Sequence, residues 1–150
     1  MNIGIAVYSE TGNTREVAER IRRELENAGH EAELLEITTA AGRRELAEIP
    51  SVEPYDTLCI GGPVHHLTVA KPVKLFLEAI PSLQNKKVAF FVTQGQPLSA
   101  LGGSQAMAFL KRAIHEHSGS PIRAGIVHVS RKSKESEIRR VVEAVVESAG

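Results

Sequence analysis

Residues 9–14 read Ser9-Glu10-Thr11-Gly12-Asn13-Thr14 and follow the apolar run Ile3-Gly4-Ile5-Ala6-Val7-Tyr8. The run has the character of a buried strand, and the segment from Thr14 to Ile21 that of the helix after it. A hydroxyl- and glycine-rich turn between a strand and a helix is a place to hold a phosphate. The helix start offers unpaired N–H groups and a positive dipole end. Gly12 lets the backbone come close, and the hydroxyls of Ser9, Thr11 and Thr14 can donate further hydrogen bonds. No lysine stands inside the loop, which excludes the Gly-x-x-x-x-Gly-Lys-Ser/Thr nucleotide loop. The three-glycine dinucleotide spacing is missing too. The plainer alternative is a Thr/Asn-capped helix start without a ligand.

Other residues that could do chemistry are fewer. His65 and His66 are adjacent, so their side chains tend to point apart, and no nearby Asp, Glu or Cys completes a metal set. His115 and His117 are two apart on a helical stretch and do not share a face. No metal site is expected. The single cysteine, Cys59, excludes an internal disulfide and any Cys-x-x-Cys site. It lies in Thr57-Leu58-Cys59-Ile60 and reads as a buried structural thiol. No catalytic acid–base pair or nucleophile stands out.

The elements that must position these residues alternate regularly. Apolar runs predict strands at about 2–8, 31–37, 56–61, 87–93 and 123–129. Helical periodicity covers about 14–28, 70–79, 103–117 and 134–148, and 43–48 could form a short helix. Gly29 suits a left-handed helix end, and Ser133 before Glu135 and Glu137 suits the start of the last helix. The chain of 150 residues is expected to form one domain, 1–150. Five strands alternating with helices imply an α/β fold, a doubly wound parallel sheet covered on both faces. Ligands of such sheets sit beyond the carboxyl ends of the strands. That rule selects residues 9–14, 61–69 and 93–103.

The first loop resembles the flavodoxin phosphate loop, Ser/Thr-x-Thr-Gly-x-Thr, at every fixed position. That loop holds the 5′-phosphate of FMN. The second, Gly61-Gly62-Pro63-Val64-His65-His66-Leu67-Thr68-Val69, resembles the family stretch Gly-x-Pro-Val/Thr-aromatic. The resemblance implies that His65 takes the place of the aromatic residue on the flavin face. It puts His66 where the family often has glycine, in a turn that rotates a peptide toward the flavin N5. A side chain there makes positive φ costlier and should draw the two one-electron potentials together. The third loop has no stacking tyrosine. Gln94 and Gln96 could offer amides, Thr93 to Gly95 backbone groups, and Leu98 or Leu101 an apolar cover. The implied cofactor is FMN. The implied binding residues are Ser9, Glu10, Thr11, Gly12, Asn13, Thr14, Pro63, Val64, His65, His66, Thr93, Gln94, Gly95, Gln96 and Gly102. The implied fold is a flavodoxin-like five-stranded sheet of order 2-1-3-4-5.

Lysine plus arginine and aspartate plus glutamate both number 18, so net charge is zero. Residues 1–80 hold 13 acids against 8 Lys/Arg, and residues 81–150 hold 5 against 10. The acidic first half could provide a docking patch. A basic nucleic-acid surface with interleaved aromatics is missing. The N-terminus has no signal-peptide pattern and no apolar run is long enough to span a bilayer, so the cytoplasm is the expected location. The leading functional expectation is an FMN electron-transfer protein serving a redox partner protein or a small-molecule acceptor. The alternatives are an FMN-dependent NAD(P)H:quinone-type reductase and a non-catalytic binding or sensing module. The sequence leaves oligomeric state open.

Overall fold

The computed structural model describes residues 1–40, 45–95 and 100–150. The elements are β1 (Asn2–Val7), α1 (Asn13–Asn27), β2 (Glu31–Glu36), β3 (Thr57–His65), β4 (Thr68–Val69), α2 (Lys71–Ala79), β5 (Lys87–Gln94), α3 (Ala100–Glu116), β6 (Ser120–His128) and α4 (Lys134–Ala149). Five strands pair in parallel in the order β2-β1-β3-β5-β6, which is the expected 2-1-3-4-5 arrangement. The short β4 is additional and pairs antiparallel with the end of β3. No helix among the described residues is long and apolar enough to cross a membrane.

Each central strand is buried on both faces, so its side chains divide by the strand period of two. Ile3, Ile5, Val7, Cys59, Ala89 and Phe91 point to one side, where α1 and α4 cover them. Ala6, Leu58, Ile60, Val88, Phe90 and Val92 point to the other, under α2 and α3. Burial pushes the Cys59 thiol well above its ordinary range, leaving it inert as a nucleophile. β2 lies at the sheet edge and is only half buried.

The structure departs from the sequence expectation in three places. β3 does not stop at Ile60 or Gly61 but runs on to His65. Gly61 and Gly62 are strand residues: a Cβ on Gly61 would overlap the Phe91 ring, and one on Gly62 would stand 2.5 Å from Val73 Cγ2. α3 begins at Ala100, before Gly102 and Gly103. Residues 45–48 are not helical, and residues 43 and 44 of that expected helix lie outside the described residues. Instead Thr39 and Leu46 form an isolated antiparallel bridge, supported by Ala40 N–H to Glu45 O and Ala47 N–H to Thr38 O, both 2.9 Å. So short a helix returns too few hydrogen bonds for the cost of its nucleus.

Two expected outcomes test this packing. Gly61→Ala should cost about 1–3 kcal/mol in urea unfolding by overpacking against Phe91, and Phe91→Leu should absorb much of that loss. The second concerns Tyr55, which donates a 2.6 Å hydrogen bond to Glu33. Burial, then the Glu33 carboxylate, pushes its phenol from 10.0 up to about 12. The neutral phenol therefore contributes stability that is complete below pH 10 and lost as pH rises through about 12. In a Tyr8→Phe background, absorbance titration should place Tyr55 ionisation near that upper value, and Tyr55→Phe should flatten the alkaline fall in stability.

Candidate functional site

β1 ends at Val7, and α1 takes its first turn from Asn13. Between them Ser9 Oγ accepts the backbone N–H groups of Gly12 (3.1 Å) and Arg15 (3.2 Å) and so curls the loop onto the helix start. Gly12 is the N-cap residue at φ 93°, with open space where a Cβ would stand. That left-handed backbone is one glycine adopts without strain. Gly12 offers no side-chain cap of its own, and Ser9 is the one side chain among the described residues that accepts from the first turn. The N–H groups of Thr11, Asn13 and Thr14 take no acceptor among the described residues. They are left at the positive end of the α1 dipole, where an anion would complete them. Asn13 Nδ2 donates to Thr11 Oγ1 at 3.1 Å, ordering both side chains at the loop tip.

Thr14 is placed differently from the other hydroxyls. It is buried, and its Oγ1 lies 2.8 Å from Thr93 Oγ1 at the end of β5. Only if Thr93 donates does Thr14 keep a proton for a ligand. This bond ties the start of α1 to the end of β5, at the floor of the cleft.

The cleft itself has a volume of about 510 Å³, within the size range of small-molecule sites. Its lining brings together Thr11 and Asn13, Pro63 to Leu67, Thr93 to Gly95, and Val129. Thus three loops distant in sequence meet at one place. Leu67 and Val129 were not among the residues singled out by sequence. Leu67 carried a signal, an apolar residue at a turn; Val129 follows β6, whose loop the sequence rule did not select.

The wall of the cleft is a hairpin. Val64 pairs with Val69 and His65 with Thr68, leaving His66 and Leu67 as the two-residue turn. Their φ values are 49° and 68°. Two consecutive positive φ angles define the turn that best matches strand twist, and Asn-Gly is its preferred sequence. Here two ordinary side chains occupy it, and such strain collects at functional sites. Helix α3 holds the turn from behind. A Cβ on Gly102 would lie 3.0 Å from Val64 Cγ1 and 3.3 Å from Leu67 Cα. Gly102 is therefore a packing residue within a helix, supporting the wall. His65 Nε2 stands 3.4 Å from Glu10 Oε2, linking hairpin and phosphate loop across the cleft mouth.

The third loop is partly turned inward. Gln94 is buried, and a Cβ on Gly103 would come within 2.6 Å of its Oε1, so its amide lies against α3. Val129 N–H donates to Gln94 O at 3.0 Å and Ser130 Oγ to Gly95 O at 2.7 Å. Gln96, with the apolar cover expected from Leu98 and Leu101, lies outside what the structure describes. Behind Val129, His128 is gripped twice by Glu137: its N–H donates to Oε1 and its Nδ1 meets Oε2, both at 2.9 Å. Among the described residues no three His, Cys, Asp or Glu side chains group to hold a metal.

The cleft and the open N–H groups stand at the order reversal of an open α/β sheet, beyond the carboxyl ends of its strands, which is where such folds place a ligand. The comparisons agree. The family described as "Flavodoxin domain" matches residues 4–131. The chain belongs to this family, which implies a flavin cofactor. Flavodoxin 1 from Bacillus cereus is similar over 99% of this chain and 97% of its own, at 17% identity and a TM-score of 0.76. A flavodoxin, WrbA-like protein from Agrobacterium tumefaciens covers 99% and 97%, at 17% identity and a TM-score of 0.72. A short-chain flavodoxin associated with a bacterial microcompartment covers 100% and 99%, at 13% identity and a TM-score of 0.73. A comparison with curated protein sequences finds no match.

The strained turn yields a stability test. Changing His66 to Asn and Leu67 to Gly should raise stability by roughly 1–2 kcal/mol, since left-handed backbone costs an ordinary side chain about 1 kcal/mol or more. Thermal unfolding of the double variant checks it; a lowered Tm would mean that the two side chains contribute more by contact than they cost by strain.

Proposed function

We propose that this protein binds one FMN in the cleft and works as a flavodoxin-type electron carrier. The observation that carries the reading is the set of three N–H groups, on Thr11, Asn13 and Thr14, that take no acceptor among the described residues at a left-handed Gly12 helix start. They suit the terminal phosphate, with the hydroxyls of Ser9 and Thr11 as further donors. Pro63, Val64 and Leu67 give the ring an apolar wall, and His65 an imidazole face. Thr93 to Gly95 form the opposite side. When bound, the flavin supplies the electron storage and transfer that no side chain of this chain can perform. The protein's part is to hold the phosphate, orient the ring and limit water at its inner edge.

A second reading, an FMN-dependent NAD(P)H:quinone-type reductase, is favoured by one observation. Two imidazoles, His65 and His66, line the cleft, and His65 is paired to a carboxylate. An imidazole so paired can hold and pass a proton. NAD(P)H oxidation by the FMN-loaded protein, with and without a quinone, separates the two readings.

Titration calorimetry with FMN and riboflavin tests the site. Riboflavin should bind at least about a hundredfold more weakly, because two or more charge-assisted hydrogen bonds of roughly 1.5–3 kcal/mol each are lost with the phosphate. Thr11→Ala should weaken FMN more than riboflavin. Equal affinities for the two flavins would remove the phosphate from this loop.

A further inference from the structure

The charges around the cleft are unevenly spent. On the carboxyl edge Glu16 pairs with Lys134 at 3.1 Å, Glu36 with Arg15, Glu135 with Arg20 at 2.8 Å and Glu137 with His128 at 2.9 Å. Glu10 faces His65. Each of these acids is therefore met by a base of the protein itself. Several bases are not so met. Lys71, Arg131 and Lys132 are exposed and have no carboxylate within ion-pair distance among the described residues. Lys74 has its ammonium 4.7 Å from the centre of the Phe109 ring, which fixes it without neutralising it.

These cations stand on both sides of the cleft. Lys71 and Lys74 belong to the first turn of α2, immediately after the hairpin, and share a groove with His65 and His66. One acid, Glu78, also lines that groove. Arg131 and Lys132 follow Val129, which lines the opposite side, and lead into α4. Leu67, at the hairpin tip, is 52% exposed.

The position of Lys71 and Lys74 is itself informative. The first turn of α2 has no acidic residue, and both lysines sit at the positive end of its dipole. Cations are disfavoured there and acids favoured. At Lys71, exposed and with no carboxylate partner among the described residues, a local rule is broken without an internal return, which marks a place selected for something other than stability. Helix dipole and lysines add to one positive field facing out beside the hairpin.

We propose that this rim is a docking surface for a protein with an acidic face, which seats an apolar residue on Leu67 and pairs its carboxylates with Lys71, Lys74, Arg131 and Lys132. The inference rests on the electron-carrier reading for its purpose, but not for its geometry. Charges spread over both sides of a cleft, around one apolar tip, fit an extended protein face better than a compact anion. The proposal differs from the expectation that the acidic first half of the chain supplies the docking patch: Glu10, Glu16 and Glu36 of that half already meet His65, Lys134 and Arg15.

The test uses the full chain, first without flavin. The isotope-labelled protein is titrated by NMR with poly-L-glutamate and with poly-L-lysine at low ionic strength. Polyglutamate should shift the amides of residues 66–74 and 130–133, and polylysine should not. The variant K71E/K132E should weaken polyglutamate by about tenfold or more, as attractive contacts become repulsive. K71E alone should keep or raise the Tm, because glutamate suits that helix start. Weaker docking with undiminished stability is a result that a merely structural lysine would not give. In the FMN-loaded protein, reduction of an acidic cytochrome should quicken as salt is lowered, and K71E/K132E should abolish that dependence. Shifts confined to other faces, preference for polylysine, or inorganic pyrophosphate competing as well as the peptide would each overturn the proposal. Failure to bind FMN would leave the NMR result standing and count only against the carrier reading.

Discussion

The site depends on how β3 leaves the sheet. The strand passes with bare backbone between the Phe91 ring on one side and Val73 of α2 on the other. No side chain larger than hydrogen fits at Gly61 or Gly62 without displacing one of them. Because the strand can pass there, its pairing with β5 continues to Pro63 and its end is carried beyond the sheet edge as a hairpin. The core on both faces and the wall of the cleft are thus joined through two residues. Close packing of this kind transmits any change in volume directly to the elements around it.

Above that passage, small polar bonds set the relation of the loops to one another. Ser9 closes the first loop on α1, the Thr14–Thr93 hydroxyl bond fastens it to β5, and the Glu10–His65 contact reaches the hairpin. Gly102 lets α3 support the hairpin from behind. The groups that line the cleft are therefore held both by bonds within the first loop and by bonds between loops. Ordering costs that a floppy loop would incur on meeting a ligand are largely met in advance.

Much of this was legible in the chain. The apolar runs announce the sheet, and their alternation with helical stretches announces its parallel winding. Ser9 to Thr14 announces the turn into α1, with a glycine for its left-handed residue and a hydroxyl that accepts from the helix start. What was not legible traces largely to glycine and histidine. Gly61-Gly62-Pro63 reads as a turn by local rules, whereas the glycines answer to Phe91 and Val73, far along the chain. Gly102 and Gly103 hide the start of α3 in the same way, since they make room for Val64, Leu67 and Gln94. His66 argues against a left-handed turn, yet the hairpin imposes one. Local propensity yields wherever a tertiary contact is worth more. Val129 was missed because its place in the cleft comes from the final strand and the grip of Glu137 on His128.

That grip has a consequence for motion. Strand β6 lies at the edge of the sheet, and its outgoing end is chelated to the first turn of α4 by a single carboxylate. An edge strand and the helix that follows it, bound to each other this closely, tend to detach from the body of a domain together. Such an opening takes Val129 with it, and with Val129 one side of the cleft. The cleft can then open without any movement of the hairpin, through the transient departure of the C-terminal strand and helix, with amide exchange in residues 120–150 as its clock.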